Sequence, residues 1–303
     1  MADQDPDRLF QVLIWLCALP AYPVALYSIW KNTLVDHEFS PWLTFAPAVP
    51  SAALLYGSGC LFKRCIRKPA LSLRKHSAET GDEDRYLSRA WKMVELLLLS
   101  IVGWIAVGSE PYFPGSLGGA GEMEKMFSSG RRFVPGHLAV YHAVRFSYLL
   151  EWWIFEDGLQ RPYLTMHHIA TSVLLTCAVF AGQSQIGSII IFLHDVPNLP
   201  LQLVVWMQGI RISIVVLVLV YLLNLYVWAH FTLYSFPMEV IRASLSREHA
   251  QSLEWKIYWC MFALLIVHHV YAYVRLLAYV PKVLRSPQRA AATFQDASGA
   301  KRD

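Results

Sequence analysis

Charged residues are scarce in this chain: Asp, Glu, Lys and Arg make up 16% of its 303 residues, while 55% are hydrophobic. Soluble domains run at roughly 25% and 45–50%. With a mean hydropathy of +0.37, that balance excludes an ordinary cytosolic globule. Cysteine is nearly absent as well. Cys17, Cys60, Cys65, Cys177 and Cys260 lie in or beside apolar runs, with no Cys-x-x-Cys and no histidine at zinc spacing. This argues against a disulfide framework and a zinc module. No Asn-x-Ser/Thr acceptor occurs. Neither sign of charge dominates: 26 Lys and Arg against 22 Asp and Glu leave a formal +4. That excess is too small and too scattered for a nucleic-acid partner. The opening residues, MADQDPDR, are acidic where a signal peptide would be basic, so the first apolar run is expected to remain as a membrane helix.

What the chain does have is long apolar runs, several of which approach or exceed the ~18–20 residues that cross a bilayer. Bounded by charge, Pro or Gly, they mark eight candidate helices near 9–30, 42–62, 91–109, 137–156, 163–182, 186–207, 211–234 and 255–280. The fold class expected is therefore all-α, a polytopic helical membrane protein. The weakest span is 42–62, which holds Pro47 and Pro50 and follows Pro41. The 63–90 segment reads as a polar linker, and its front half carries Lys63, Arg64, Arg67, Lys68, Arg74 and Lys75. The positive-inside rule puts that segment in the cytosol. Counting crossings outward from it makes both termini cytoplasmic, and puts the loops 110–136, 183–185 and 235–254 on the opposite side. Lys282, Arg285, Arg289, Lys301 and Arg302 after the last helix agree with this orientation, and the tail after Pro287 reads as a disordered end.

Ionisable groups are costly inside a bilayer, so each one in a predicted span is a functional candidate. The densest set lies on two consecutive spans. YLTMHHIATSVLL supplies His167 and His168, and IIIFLHDVPNLPLQ supplies His194, Asp195 and Asn198. The short AGQSQ connection makes the two an antiparallel hairpin turning near Gln183. His168 lies 15 residues before that turn, and His194 and Asp195 lie 11 and 12 after it. At 1.5 Å per residue the depths differ by roughly 5–6 Å, about one helical turn. Asn198 falls at the depth of His168. Pro197 and Pro200 each leave a carbonyl of the preceding turn without its usual donor, so a kink facing a polar cavity is expected there. A neutral imidazole can take a proton from an amine or hydroxyl, or be acylated itself, while a carboxylate orients the ring. Those residue types fit acyl transfer. Neighbouring histidines on a helix point about 100° apart, so one of His167 and His168 faces a given substrate atom while the other binds or orients.

Other polar groups have plainer explanations. Lys92 and Glu95, three apart, read as an interfacial ion pair. Arg145 and Glu151 face different sides of their helix and either pair with neighbouring helices or line the cavity. His268 and His269 form a second adjacent pair with no acid nearby in sequence, suited to helix packing or substrate lining. Asn198 could simply satisfy carbonyls freed by the prolines. No metal is expected, because the repeated His-x-x-His-His boxes of membrane hydroxylases are missing.

The stretch from Tyr141 to about Gln202, with YHAVRFSYLLEWWIFED, HHIAT and LHDVPN, resembles the TLC domain shared by ceramide synthases, translocon-associated TRAM proteins and related lipid-regulating membrane proteins. More weakly, the resemblance covers 91–280. It implies a six-helix TLC-like domain there, preceded in 1–90 by two further spans and the basic loop, and followed by a cytoplasmic tail at 281–303. It also implies N-acylation of a sphingoid base by acyl-CoA in the endoplasmic reticulum. Carried over by position, the residues this needs are His167, His168, His194 and Asp195. The chain departs from ceramide synthases in three places. LQRPYLTM keeps only Arg161 of a basic run, Asn198 stands where a second acid is usual, and Gln202 stands where Glu is common.

The expected function is thus a ceramide-synthase-like N-acyltransferase, with His167, His168 and Asp195 as the catalytic set. His194, Asn198, Glu151 and Arg161 are expected to bind substrate. The expected partners are membrane lipids and acyl-CoA, the latter as co-substrate with no bound cofactor, and self-association into a homo-oligomer is left open. Fold does not fix function. A non-enzymatic TLC protein that binds or senses lipid is the alternative, and a helper of membrane-protein insertion is a third reading.

Overall fold

The structure, a computed structural model, describes residues 38–73, 82–127, 133–155, 162–207, 210, 212–245 and 253–285. The predicted first span, 9–30, and the tail lie outside them. Among the described residues there are seven long helices: α1 Ala48–Leu73, α2 Asp82–Val107, α3 Gly136–Phe155, α4 Pro162–Phe180, α5 Ser184–Met207, α6 Ile214–Trp228 and α7 Leu253–Arg285. They run up and down in alternation. One end of the bundle gathers Lys63 to Lys68, the end of α1 and the start of α2, and is the basic end. The other carries the 108–135 connection, and is the cap end.

Five stretches are long and apolar enough to cross a membrane: Pro41–Lys68, Tyr86–Val107, Ser184–Met207, Ile214–Leu245 and Tyr258–Pro281, with His168–Phe180 a shorter apolar helix. The 42–62 span is therefore helical despite its prolines. Pro41 opens the short helix Pro41–Phe45, whose N-cap Ser40 accepts from Leu43 N at 3.3 Å. Pro50 sits in the first turn of α1, where backbone N–H groups have no intrahelical partner to lose.

Two boundaries differ from the sequence reading for one physical reason: hydropathy falls where lipid ends, but helical hydrogen bonding does not. The 63–90 segment is largely helix, since α1 runs on to Leu73 and α2 begins at Asp82. The two extensions are tied by Lys63 Nζ donating to Ser88 Oγ at 3.3 Å and by an Arg67–Glu83 ion pair at 3.1 Å. The predicted 235–254 loop starts as helix too. Beyond Trp228, α6 widens into a π-helical stretch, Ala229–Ile241, and ends in Arg242–Leu245. Pro237 lies inside it, and the hydroxyls of Thr232 and Ser235 donate to the carbonyls of Trp228 and His230 at 2.6 and 2.9 Å.

The cap is a packed structure rather than a free loop. Tyr112, Phe113, Met123, Met126 and Phe127 are buried in it, and Gly115–Leu117 and Met123–Phe127 form 3-10 turns. The Glu239 carboxylate accepts from the backbone N–H of Gly115 and Ser116 at 2.8 and 3.1 Å, pinning the loop to α6. Strand Glu38–Phe39 pairs antiparallel with Val134–Pro135 at the same end.

Helix α5 is the central element, packed by α2, α3, α4 and α6, with Ile186 to Leu193 buried without a break. One apolar cluster fills the cap end around Phe113, Phe192, Phe236 and Phe262. A second fills the basic end around Phe62, Tyr86, Trp206 and Tyr221. Between them lies a polar layer.

Candidate functional site

The α4–α5 hairpin sets the register of that layer. Gly182, at φ 71°, closes α4 in the left-handed conformation. Gly182 N donates to Val179 O and Gln183 N to Ala178 O at 2.7 Å, the paired bonds of a Schellman stop. The turn is where the sequence placed it. Helix α5 then continues without interruption through Pro197 and Pro200 to Met207.

Among the described residues, the fully buried Asp195 pairs with an arginine rather than with an imidazole. Its Oδ1 lies 3.0 Å from Nε of Arg145 on α3, whose side chain is 4% exposed. Arg145 is thus the charged partner of Asp195 among the described residues. Glu151, one of the expected binding residues, is 2.7 Å from Lys92 of α2, which also holds Glu95 at 2.9 Å. The expected Lys92–Glu95 pair is thus formed, with Glu95 buried and Lys92 half-buried. Tyr148 lies between the two groups, its ring 4.8 Å from Lys92 Nζ and 4.9 Å from the Arg145 guanidinium carbon. Charges from α2, α3 and α5 therefore form one buried layer in which each cation has a carboxylate, as the cost of burying an isolated charge requires.

Histidines from three helices border this layer. His194 donates from Nδ1 to the Ile190 carbonyl one turn earlier. A neutral imidazole so held carries its lone pair on Nε2. The ring lies 4.6 Å, centroid to centroid, from His269 of α7 and 5.3 Å from Phe236. His268 is 5.5 Å from His269. On α4, the His168 ring packs against Trp152 at 3.9 Å, tilted by 35°, and lies within electrostatic reach of Arg145, Lys92 and His268. The His167 side chain and all of Arg161 lie outside the described residues. Asn198 donates from Nδ2 to the His194 carbonyl at 2.8 Å, whereas the carbonyls that Pro197 and Pro200 leave without a donor are those of Leu193 and Val196. Asn198 is a back-bond to a turn that already has its N–H partner.

A polar cavity was expected beside these groups. The enclosed space at His194 is about 10 Å³, bounded by Thr171, Leu174, Gly187, Ile190 and Leu265 among others, enough for about one water. Nearer the cap end, His142 Nε2 donates to Ser184 O at 3.0 Å and lies 3.0 Å from Ser188 Oγ, a buried tie between α3 and α5. Among the described residues no group of three or more His, Cys, Asp or Glu could hold a metal ion.

Sequence reasoning brought His168, His194 and Asp195 to the same region and left out Arg145, Lys92 and His269 as site members. The signal for the first was present, since a single arginine in an otherwise apolar run implies a buried carboxylate. Which carboxylate it meets depends on helix rotation, which spacing alone does not supply.

No curated protein sequence matches this chain. The family model of the TLC domain matches residues 85–283, which covers nearly all of α2 to α7. With its apolar spans, its central α5 and that match, the chain belongs to the TLC-domain family of helical, lipid-related membrane proteins.

Proposed function

We propose that this protein is a ceramide-synthase-like N-acyltransferase of the endoplasmic reticulum membrane, moving a fatty acyl group from acyl-CoA to a long-chain amine such as a sphingoid base. The observation that carries the reading is the hydrogen bond from His194 Nδ1 to the Ile190 carbonyl. It leaves Nε2 as the basic nitrogen, in a water-poor layer of histidines inside a lipid-related domain. In the reaction the amine nitrogen attacks the thioester carbonyl carbon, a C–N bond forms and the C–S bond breaks. The proton lost by the amine passes to His194 Nε2 and on to the departing thiolate. His168, steadied by Trp152, and His167 beside it bind the acyl donor or the amine. Arg145 and Asp195 hold α3 and α5 in register around them. Arg161 and the basic end meet the CoA phosphates.

A second reading, a lipid-binding or lipid-sensing protein without turnover, is favoured by a specific observation. Asp195 and Glu151 are both committed to cations, and the space at His194 is about 10 Å³. The test is acylation of labelled sphinganine with mixed acyl-CoAs in membranes carrying the wild type, His167→Ala, His168→Ala or His194→Ala at matched levels. N-acyl product in the wild type that falls about a hundredfold or more in His194→Ala is expected. No product above empty membranes, with folded protein present, overturns acyl transfer. Capture of a photoactivatable sphingoid base in the same membranes then supports the second reading.

A further inference from the structure

Helix α6 with its extension is longer than the bilayer it crosses. It runs from Ile214 to Leu245 as one apolar span of 32 residues. At 1.5 Å per residue that is more than about 40 Å, against a hydrocarbon core of about 30 Å. Its exposed apolar side chains begin at once with Ile214, Val215 and Val216, so the surplus lies at the cap end. About 20 residues cross the core, which brings the far interface to Tyr234, an exposed aromatic of the kind found at headgroup level. Met238, Glu239 and Arg242 follow, about one to two turns further out. There the extension and the cap stretch 121–125 leave between them an open cleft of about 700 Å³, within the size range of small-molecule sites. The charges on its walls are mixed: Glu122, Glu124 and Glu239 are acidic, Lys125 and Arg242 basic. Glu122 pairs with Lys125, and Glu239 holds the N–H groups of Gly115 and Ser116. Arg242 is exposed and pairs with no carboxylate among the described residues.

We propose that this cleft is a binding site for the headgroup of a zwitterionic phospholipid, with the phosphodiester on Arg242 and the ammonium beside Glu122 and Glu124. The guanidinium is a planar fork of donors that suits a phosphodiester. The mixed walls select for a ligand that carries both signs of charge. A purely anionic headgroup meets three carboxylates, and a bare cation meets Arg242 and Lys125. Depth argues for a lipid rather than a soluble compound. The cleft opens where headgroups lie, and Tyr234 and Met238, both exposed, stand at the level of the glycerol and the first methylenes of the chains. A headgroup bridging Arg242 and the 122–124 stretch ties the cap to α6 from outside, alongside the tie that Glu239 makes. The cleft shares no lining residue with the space at His194, so the proposal does not depend on acyl transfer.

The test uses the full chain, delipidated in detergent, and titrates it with dioleoylphosphatidylcholine, dioleoylphosphatidylethanolamine or dioleoylphosphatidylglycerol, reading bound lipid by native mass spectrometry. The two zwitterionic lipids are expected to bind more tightly than the anionic one. Arg242→Gln should weaken all three by about tenfold. Glu122→Gln with Glu124→Gln should weaken the zwitterionic pair and strengthen phosphatidylglycerol, reversing the order. Glu239 is left in place because it holds the cap. Affinities and lipid order that are the same in the wild type and both variants overturn the proposal. A second measurement needs no variant: in vesicles of dioleoylphosphatidylcholine, a phosphatidylcholine with a diazirine on its choline should label residues 121–125 and 238–243 above other interfacial segments. Labelling spread evenly over those segments overturns the site. Binding of glycerophosphocholine that none of the lipids displaces overturns a membrane lipid as the occupant.

Discussion

Single residues carry the electrostatics of this domain. Arg145 and Asp195 are both buried and 3.0 Å apart, so removing either partner strands a charge in the low-dielectric interior at a cost of about 3–5 kcal/mol. Thermal unfolding in detergent should therefore show a large loss for Arg145→Leu and for Asp195→Leu alone. The double variant should recover most of that loss, because it buries no charge at all. Equal losses in single and double variants would mean that the pair is not coupled. Gly187 supplies a second residue-level test. A Cβ there would come 2.7 Å from Ala178 Cβ and 3.3 Å from His142 Cε1, so Gly187→Ala should cost about 1–3 kcal/mol by overpacking, eased by Ala178→Gly. The rule that intramembrane ionisable residues are suspect picked out His168, His194 and Asp195 from sequence. The rule does not say which helix faces which. The partner of Asp195, the burial of Glu95 beside Lys92 and the approach of His269 all depend on the rotation of α3, α2 and α7 about their axes.

At the scale of elements, hydropathy located each of the seven long helices α1 to α7 because spanning lipid demands a long apolar run. It missed the ends. The α1 and α2 extensions are held together by polar side chains, and the tail of α6 by hydroxyls that donate to carbonyls around Pro237. In both, these polar ties lie among buried apolar residues such as Ile66, Leu87 and Val240. The Glu239 anchor is open to a direct test. Glu239→Ala leaves the amides of Gly115 and Ser116 without their acceptor, so deuterium exchange at those two amides should rise while exchange in α5 stays slow. Unchanged protection at Gly115 and Ser116 would show that the cap holds without Glu239. The α4–α5 turn was legible from the outset, since a few polar residues between two apolar runs admit only a tight hairpin, and Gly182 at φ 71° is the residue that makes the stop possible.

The whole molecule is a bundle with two apolar ends and a charged waist. The positive-inside rule predicts an orientation in the membrane from where positive charge collects. With the basic end in the cytosol, a cysteine at the exposed Lys68 position of an otherwise cysteine-free chain should react with a membrane-impermeant maleimide in sealed microsomes. One at the exposed Ala120 position should react only after permeabilisation. The reverse pattern would invert the assigned topology. The waist also bears on how the protein is made. Helix α3 enters the membrane carrying Arg145 and Glu151. Lys92 for the glutamate has already been synthesised on α2, but Asp195 for the arginine is still 50 residues away on α5. During synthesis the arginine of α3 thus lacks its ion-pair partner until the α4–α5 hairpin emerges. The hairpin that carries His168 and His194 is therefore also the element that completes the charge pairing of α3.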